Sequence, residues 1–211
     1  MGEAKRRRLA DHVSCPKRVA GKSMDVVDQH QVFEKAHAAG DKDATIDVPC
    51  NGCRACCYYN ALNVDPNEEP PERLKRLQLR WNEQHQCWEI PKREDGACIY
   101  LGPNGCTVYE HRPTACRYYD CRLAAIYGWR QQFEGGQTAP TWEFTDSGTD
   151  LSMLKIRHMF GQAWLKEHTD GPLLHDLIRD VETHMTELDQ QGELTRLVDR
   201  VRRSIRIEQT K

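Results

Sequence analysis

The sequence predicts an α+β fold: a small, irregular, cysteine-lined metal core with a short β-hairpin, followed by a C-terminal helical extension. Three observations predict it. The cysteines gather in two sets, Cys50-Asn51-Gly52-Cys53-Arg54-Ala55-Cys56-Cys57 and then Cys98, Cys106, Cys116 and Cys121. Between Cys98 and Cys106, Gly102-Pro103-Asn104-Gly105 is a strong turn signal flanked by short apolar pieces. Beyond Asp170, apolar residues recur with the helical period.

Bulk properties narrow the function classes. The chain has 211 residues, 38% of them hydrophobic and 29% charged, enough for one domain with its own core plus appendages. Its formal net charge of -2 argues against wholesale binding of nucleic acid or membrane by charge. No apolar run approaches the roughly 20 residues that span a bilayer. The basic N-terminus has no apolar stretch behind it and so does not read as a secretory signal. The expected location is the cytoplasm. In a reducing compartment, clustered cysteines read as metal ligands or redox groups rather than disulfides. The spacing agrees, because cysteines adjacent or three apart are poorly placed to bridge one another.

In chain order, residues 1–23 read as a flexible basic tail, with Lys5, Arg6, Arg7, Arg8, Lys17, Arg18 and Lys22 the groups that would meet nucleic acid if anything in the chain does. Cys15 lies alone in it. The metal-binding domain is expected over 24–131. Val26 to Ala39 reads as a helix stopped by Gly40, and Thr45 to Val48 as a short extended piece. Ala61 to Val64 is extended. Pro71 is placed to open a helix over Glu72 to Trp81, with Leu74, Leu77 and Leu79 inward. Cys87 to Ile90 alternates like a strand, and Cys87 reads as a small buried hydrophobe. After the Asp95-Gly96 turn, Ala97 to Leu101 and Cys106 to Tyr109 are the two arms of the hairpin. Arg112-Pro113 breaks the chain before Cys116, and a helix starts near Cys121. Residues 132–150, with Gly135-Gly136, Pro140 and Gly148, read as a linker. Residues 151–211 form the helical extension. Its helices cover Leu151 to His168, a second segment opened by Asp170-Gly171-Pro172 and closed at Gln191-Gly192, and a last basic amphipathic one with Leu194, Leu197, Val198, Val201 and Ile205.

The candidate ligands are Cys50, Cys53, Cys56, Cys57, Cys98, Cys106, Cys116 and Cys121. Thiolate sulfur selects zinc, copper(I) or iron–sulfur clusters over hard cations. Cys50, Cys53 and Cys56 have the Cys-x2-Cys-x2-Cys run that opens a ferredoxin-type site, although Cys57 follows at once. Zinc is the competing occupant; its structural sites use close pairs, and the downstream cysteines are spaced more loosely. Adjacent Cys56 and Cys57 point apart in most backbone conformations, which suits neighbouring metals or a polynuclear cluster. A site of this kind is compatible with a redox or modification enzyme, a non-catalytic zinc-stapled module whose C-terminal helices bind a protein partner, or metal storage and delivery.

The set Cys50-x2-Cys53-x2-Cys56-Cys57, Asp95-Gly96-x-Cys98, Cys106-Thr107-Val108-Tyr109, Arg112-Pro113-x-x-Cys116-Arg117 and Cys121 resembles the CxxCxxCC family. This is a bacterial group labelled as a zinc- or iron-chelating domain, also called YkgJ-type cysteine-cluster proteins. The resemblance spans about residues 46–125 and implies a metal-chelating domain, often labelled iron–sulfur. A related module is associated with flagellin lysine methylation, which keeps a modification enzyme among the expectations.

Other residues near the cysteines have structural roles to fill. Arg112 is placed to pair with a carboxylate such as Asp95 or to neutralise thiolate charge. Tyr58, Tyr59, Tyr109, Tyr118 and Tyr119 read as an apolar jacket. His111 is the histidine to test as an auxiliary ligand. There is no Gly-rich phosphate loop, no Gly-x-Ser-x-Gly elbow and no His-Glu-x-x-His.

Overall fold

A computed structural model describes residues 18–21, 23–46, 48, 53–59, 62–129, 137, 139–145, 148–169 and 173–209. Cys15, Cys50, the Gly135-Gly136 pair and the Asp170-Gly171-Pro172 helix start lie outside the described residues. The elements, in order, are β1 (Arg18–Gly21), α1 (Ser23–Ala38), a 3-10 turn (Ala55–Tyr58), β2 (Asn63–Val64), α2 (Pro71–Leu74), β3 (Arg80–Asn82), β4 (Cys87–Glu89), β5 (Leu101–Gly102), β6 (Gly105–Cys106), a second 3-10 turn (Tyr109–His111), α3 (Thr114–Tyr118), α4 (Cys121–Ile126), β7 (Trp142–Phe144), α5 (Gly148–Glu167), α6 (Leu174–Gln190) and α7 (Glu193–Gln209). The class is α+β, as expected. No helix among the described residues is long and apolar enough to cross a membrane.

The chain divides into two compact units. The first draws on Gln29–Asp120 and Gln131–Thr141, the second on Lys17–Asp28, Cys121–Arg130 and Trp142–Lys211.

The first unit is built from short pieces. Its three-stranded antiparallel sheet has the order β2-β4-β3. Its hairpin pairs Leu101 with Cys106 and Gly102 with Gly105. Tyr59, Val64, Leu77, Ile90, Ala97, Cys98 and Leu101 make its buried core, ringed by Cys57, Tyr58, Leu62, Leu74 and Leu79. Two expected elements are shorter than their sequences suggest. The helix after Pro71 stops at Leu74, and Trp81 lies instead in β3. There it faces Trp88 across the ladder, ring centroids 5.5 Å apart; cross-strand aromatic pairing of this kind overrides local helix propensity. Likewise, Ala97 to Leu101 contributes one bridge at Cys98 and a strand only from Leu101, because two turns crowd the segment. Residues 44–46 are irregular rather than extended.

A buried charge cluster fixes α3. Arg73 and Glu69 are both almost fully buried. The Arg73 fork donates to Glu69 at 2.5 Å, to Asp43 at 2.8 Å and to the Lys42 carbonyl at 2.7 Å. The second Glu69 oxygen accepts the backbone N–H of Thr114 at 2.6 Å. α3 has no capping side chain of its own, and this distant carboxylate satisfies one of its first free N–H groups. Arg117 then donates to the carbonyls of Arg112, Asp43 and Glu110 at 3.0, 3.1 and 2.5 Å. On the other side Tyr118 packs edge-on against His30 and Phe33 of α1 and donates to Glu34 at 3.0 Å.

The second unit buries the stripe of α6 formed by Leu174, Leu177, Ile178, Val181 and Met185, with α5 and α7 as its neighbours. Arg157 and Glu182 make a two-pronged ion pair, at 2.7 and 3.0 Å. The buried Tyr127 hydroxyl donates to the same carboxylate at 2.7 Å. A Cβ on Gly161 would lie 2.8 Å from the Tyr127 carbonyl carbon, so α5 comes this close only because residue 161 is glycine. β1 pairs in parallel with β7, Arg18 opposite Trp142. These two strands replace part of the expected tail and part of the expected linker. The pairing is made by backbone groups, which leave no side-chain period to read.

Two measurements test the polar framework of the first unit. Glu69→Ala leaves the Arg73 charge and the Thr114 N–H without their acceptor. It is expected to lower stability by about 3–5 kcal/mol, read as a lower urea midpoint at unchanged slope. Glu89, buried in β4, is held below the usual carboxylate range by hydrogen bonds from Arg80 and Asn82, the latter 2.8 Å long. Its contribution is therefore present above the unfolded carboxylate pKa of about 4.3 and disappears as pH falls through the lower folded value. Glu89→Gln is expected to be less stable than the parent near neutrality, with the gap closing in urea melts repeated at progressively lower pH.

Candidate metal centre

The upstream cysteines sit on the first 3-10 turn. Cys57 donates its backbone N–H to the Arg54 carbonyl at 2.9 Å, which tightens the loop after Cys53. Two bonds then tie this loop to the downstream set. The Cys98 N–H donates to the Cys57 carbonyl at 2.8 Å. The Arg54 guanidinium donates to the Pro103 carbonyl in the hairpin turn. Stretches far apart in sequence therefore meet in one unit.

The loop that presents Cys98 is rigid. Asp95 accepts the Ala97 N–H at 3.1 Å and pairs with Arg93 at 2.9 Å, and Arg93 also donates to the Leu101 carbonyl at 2.8 Å. Gly105 has φ of +117°, a left-handed conformation that glycine adopts without strain, and it turns the chain into Cys106. Cys116 is carried by α3 and so by the Glu69–Arg73 cluster. Asp95 is thus the partner of Arg93, not of Arg112. Arg112 takes the other role expected of it: its charge favours the thiolates of Cys106 and Cys116.

The electrostatics describe a set of sulfurs that share one environment. Burial pushes the Cys116 thiol up, and negative charge on Cys98, Cys57 and Cys106 pushes it further. Cys106 is raised in the same way, by burial and then by Cys57 and Cys98. Cys57 is lowered, first by a hydrogen bond from Cys56 and then by Arg54, against the effect of burial. The Cys56 and Cys57 side chains thus meet rather than diverge, because the tight 3-10 backbone turns them toward each other. The Tyr59 hydroxyl is raised by burial and by its hydrogen bond to Cys98, and it lies 3.5 Å from the Ile90 carbonyl. This places Tyr59 in the expected jacket. Tyr109 is exposed and lies under Arg112, and Tyr118 turns to Glu34.

The remaining candidates divide. Cys50 lies outside the described residues. Cys121 belongs to the second unit, where its sulfur accepts the Trp142 indole N–H at 3.2 Å. Cys87 is half-buried rather than fully buried and donates to the Asn63 side chain at 3.3 Å. His111 ends the second 3-10 turn. The described cysteines form no disulfide with one another. Among the described residues no group of three His, Cys, Asp or Glu side chains is already set to hold a metal ion.

The donors nonetheless fit a thiolate-held metal. Half-buried thiols that raise one another's pKa repel when ionised, and a bound cation removes that penalty. A buried Nε–H of Arg112 has no acceptor among the described residues, as expected where an anionic centre is to be added. Sequence reasoning found these cysteines and missed the groups that hold them. Glu69 and Arg73 gave no signal, since a carboxylate and a guanidinium four apart on a short acidic stretch look like a solvated pair.

No curated protein and no solved structure matches this chain. Residues 49–134 match the model of the CxxCxxCC family, described as "Putative zinc- or iron-chelating domain", and this stretch of the chain is accordingly a CxxCxxCC metal-chelating domain.

Proposed function

We propose that the first unit holds an iron–sulfur cluster through the thiolates of Cys50, Cys53, Cys56, Cys57, Cys98, Cys106 and Cys116. One observation carries the proposal: sulfurs from three separate stretches, at Cys57, Cys98–Cys106 and Cys116, act on one another's ionisation. The Cys50-x2-Cys53-x2-Cys56 spacing supports iron–sulfur, and so does a donor set larger than a single tetrahedral ion uses. A second reading puts one zinc ion on Cys57, Cys98, Cys106 and Cys116 alone; their electrostatic coupling favours it.

When bound, an iron–sulfur cluster supplies one-electron transfer. The chain's own groups do the rest. Cys56 and Arg54 favour thiolate at Cys57. Tyr59 donates to Cys98. Val64, Ile90, Ala97 and Leu101 keep water from one side. The apolar core is small and its elements are short, so the metal also holds the fold together.

Protein isolated without oxygen is expected to contain iron and acid-labile sulfide, with broad visible absorption. Colourless protein carrying zinc would support the second reading, and metal-free protein would end both. Cys57→Ser and Cys98→Ser are each expected to lose most of the bound metal and to melt at lower temperature. Cys87→Ser, outside the set, is expected to keep both metal and melting temperature. Elemental analysis and thermal melts of the three variants check this.

A further inference from the structure

Arg112 lies between the hairpin and α3, and each of its contacts fixes its guanidinium. One terminal nitrogen donates to the Thr45 hydroxyl at 2.9 Å. The guanidinium carbon stands 3.8 Å over the centroid of the Tyr109 ring, a cation–π contact that holds the plane flat against the aromatic face. Its own carbonyl is held by Arg117 at 3.0 Å, and Pro113 follows with φ of -64°. The backbone and the head group are therefore both anchored.

One donor is left over. The Arg112 Nε–H is buried and has no hydrogen-bond partner among the described residues. A buried donor with no acceptor costs free energy. The neighbours that lack compensation are the thiols of Cys106 and Cys116, on which the Arg112 charge acts. Arg117 and Arg73 direct their donors to carbonyls and carboxylates; Arg112 differs in keeping one unused.

We propose that Arg112 is a positioning residue for the metal centre: it supplies the counter-charge to the bound thiolates and offers its buried Nε–H to the loaded site. This rests on the metal reading above. The family pattern fixes cysteines, whereas this role for an arginine follows from its anchored geometry and its unused donor. Residues of this kind, one step out from the metal, alter metal affinity by about 10–100-fold when removed.

Cobalt(II) is the probe, since its thiolate complexes absorb through sulfur-to-metal charge transfer. The full chain is titrated with cobalt(II) without oxygen, alongside Arg112→Gln and Arg112→Lys, with circular dichroism of each protein. Wild type is expected to give the charge-transfer band. Arg112→Gln is expected to bind cobalt at least roughly 10-fold more weakly, with the band shifted. Arg112→Lys, which keeps the charge, is expected to regain most of the affinity while its band stays shifted. A structural role alone would not move the band. If Arg112→Gln binds cobalt like wild type with the same spectrum, the inference fails and the metal reading stands. Equal loss in the Lys and Gln variants also overturns it. If Arg112→Gln does not fold, Arg112→Lys decides: a full loss of affinity in the folded Lys variant sinks the inference. Wild type without a thiolate–cobalt band would sink the metal reading and this inference together.

Discussion

The first unit depends on keeping several thiols close together in partial burial. Thiolates repel one another, and burial makes each harder to ionise, so the polypeptide must hold them with other forces. The hydrogen bond from the Cys98 N–H to the Cys57 carbonyl does this at its centre. It needs no side chain, cannot be titrated away, and fixes two distant stretches relative to each other. Every other device in the unit, from the Arg54 reach to Pro103 to the clamp on α3, extends the same solution outward.

Charge balance follows from that constraint. Arg73, Arg112 and Arg117 lie close enough that the first two make it harder for Arg117 to stay protonated, after burial itself. Buried guanidinium groups are tolerated only where acceptors surround them. Glu69, Asp43 and a row of backbone carbonyls meet that need for Arg73 and Arg117. A polar framework thus carries α3, in a unit whose apolar core is too small to do so alone.

Legibility in the sequence followed physical rule. Local chemistry was readable: the turn at Gly102-Pro103-Asn104-Gly105, the break at Pro113, the stop at Gly40 and the stripe of α6 each declare themselves through one residue's geometry or one period. Cysteine spacing marked the candidate ligands. Pairing between distant segments was not readable. Trp81 sits in β3 because Trp88 lies opposite, and Arg18–Gly21 is a strand because Trp142–Phe144 lies beside it. Neither partner is visible from the segment itself. The Glu69 cap on α3 was hidden for the same reason, since it acts across 45 positions of chain.

The pairing of β1 with β7 has a consequence for biosynthesis. These strands are more than half the polypeptide's length apart, and the whole of Gln29–Asp120 lies between them. Chains leave the ribosome N-terminus first, and their domains form in that order. β1 is therefore made early and must wait, unmatched, until Trp142–Phe144 emerges. The cysteine-bearing segment is complete well before that moment, so it has time to acquire its metal while the nascent chain is still open on either side of it.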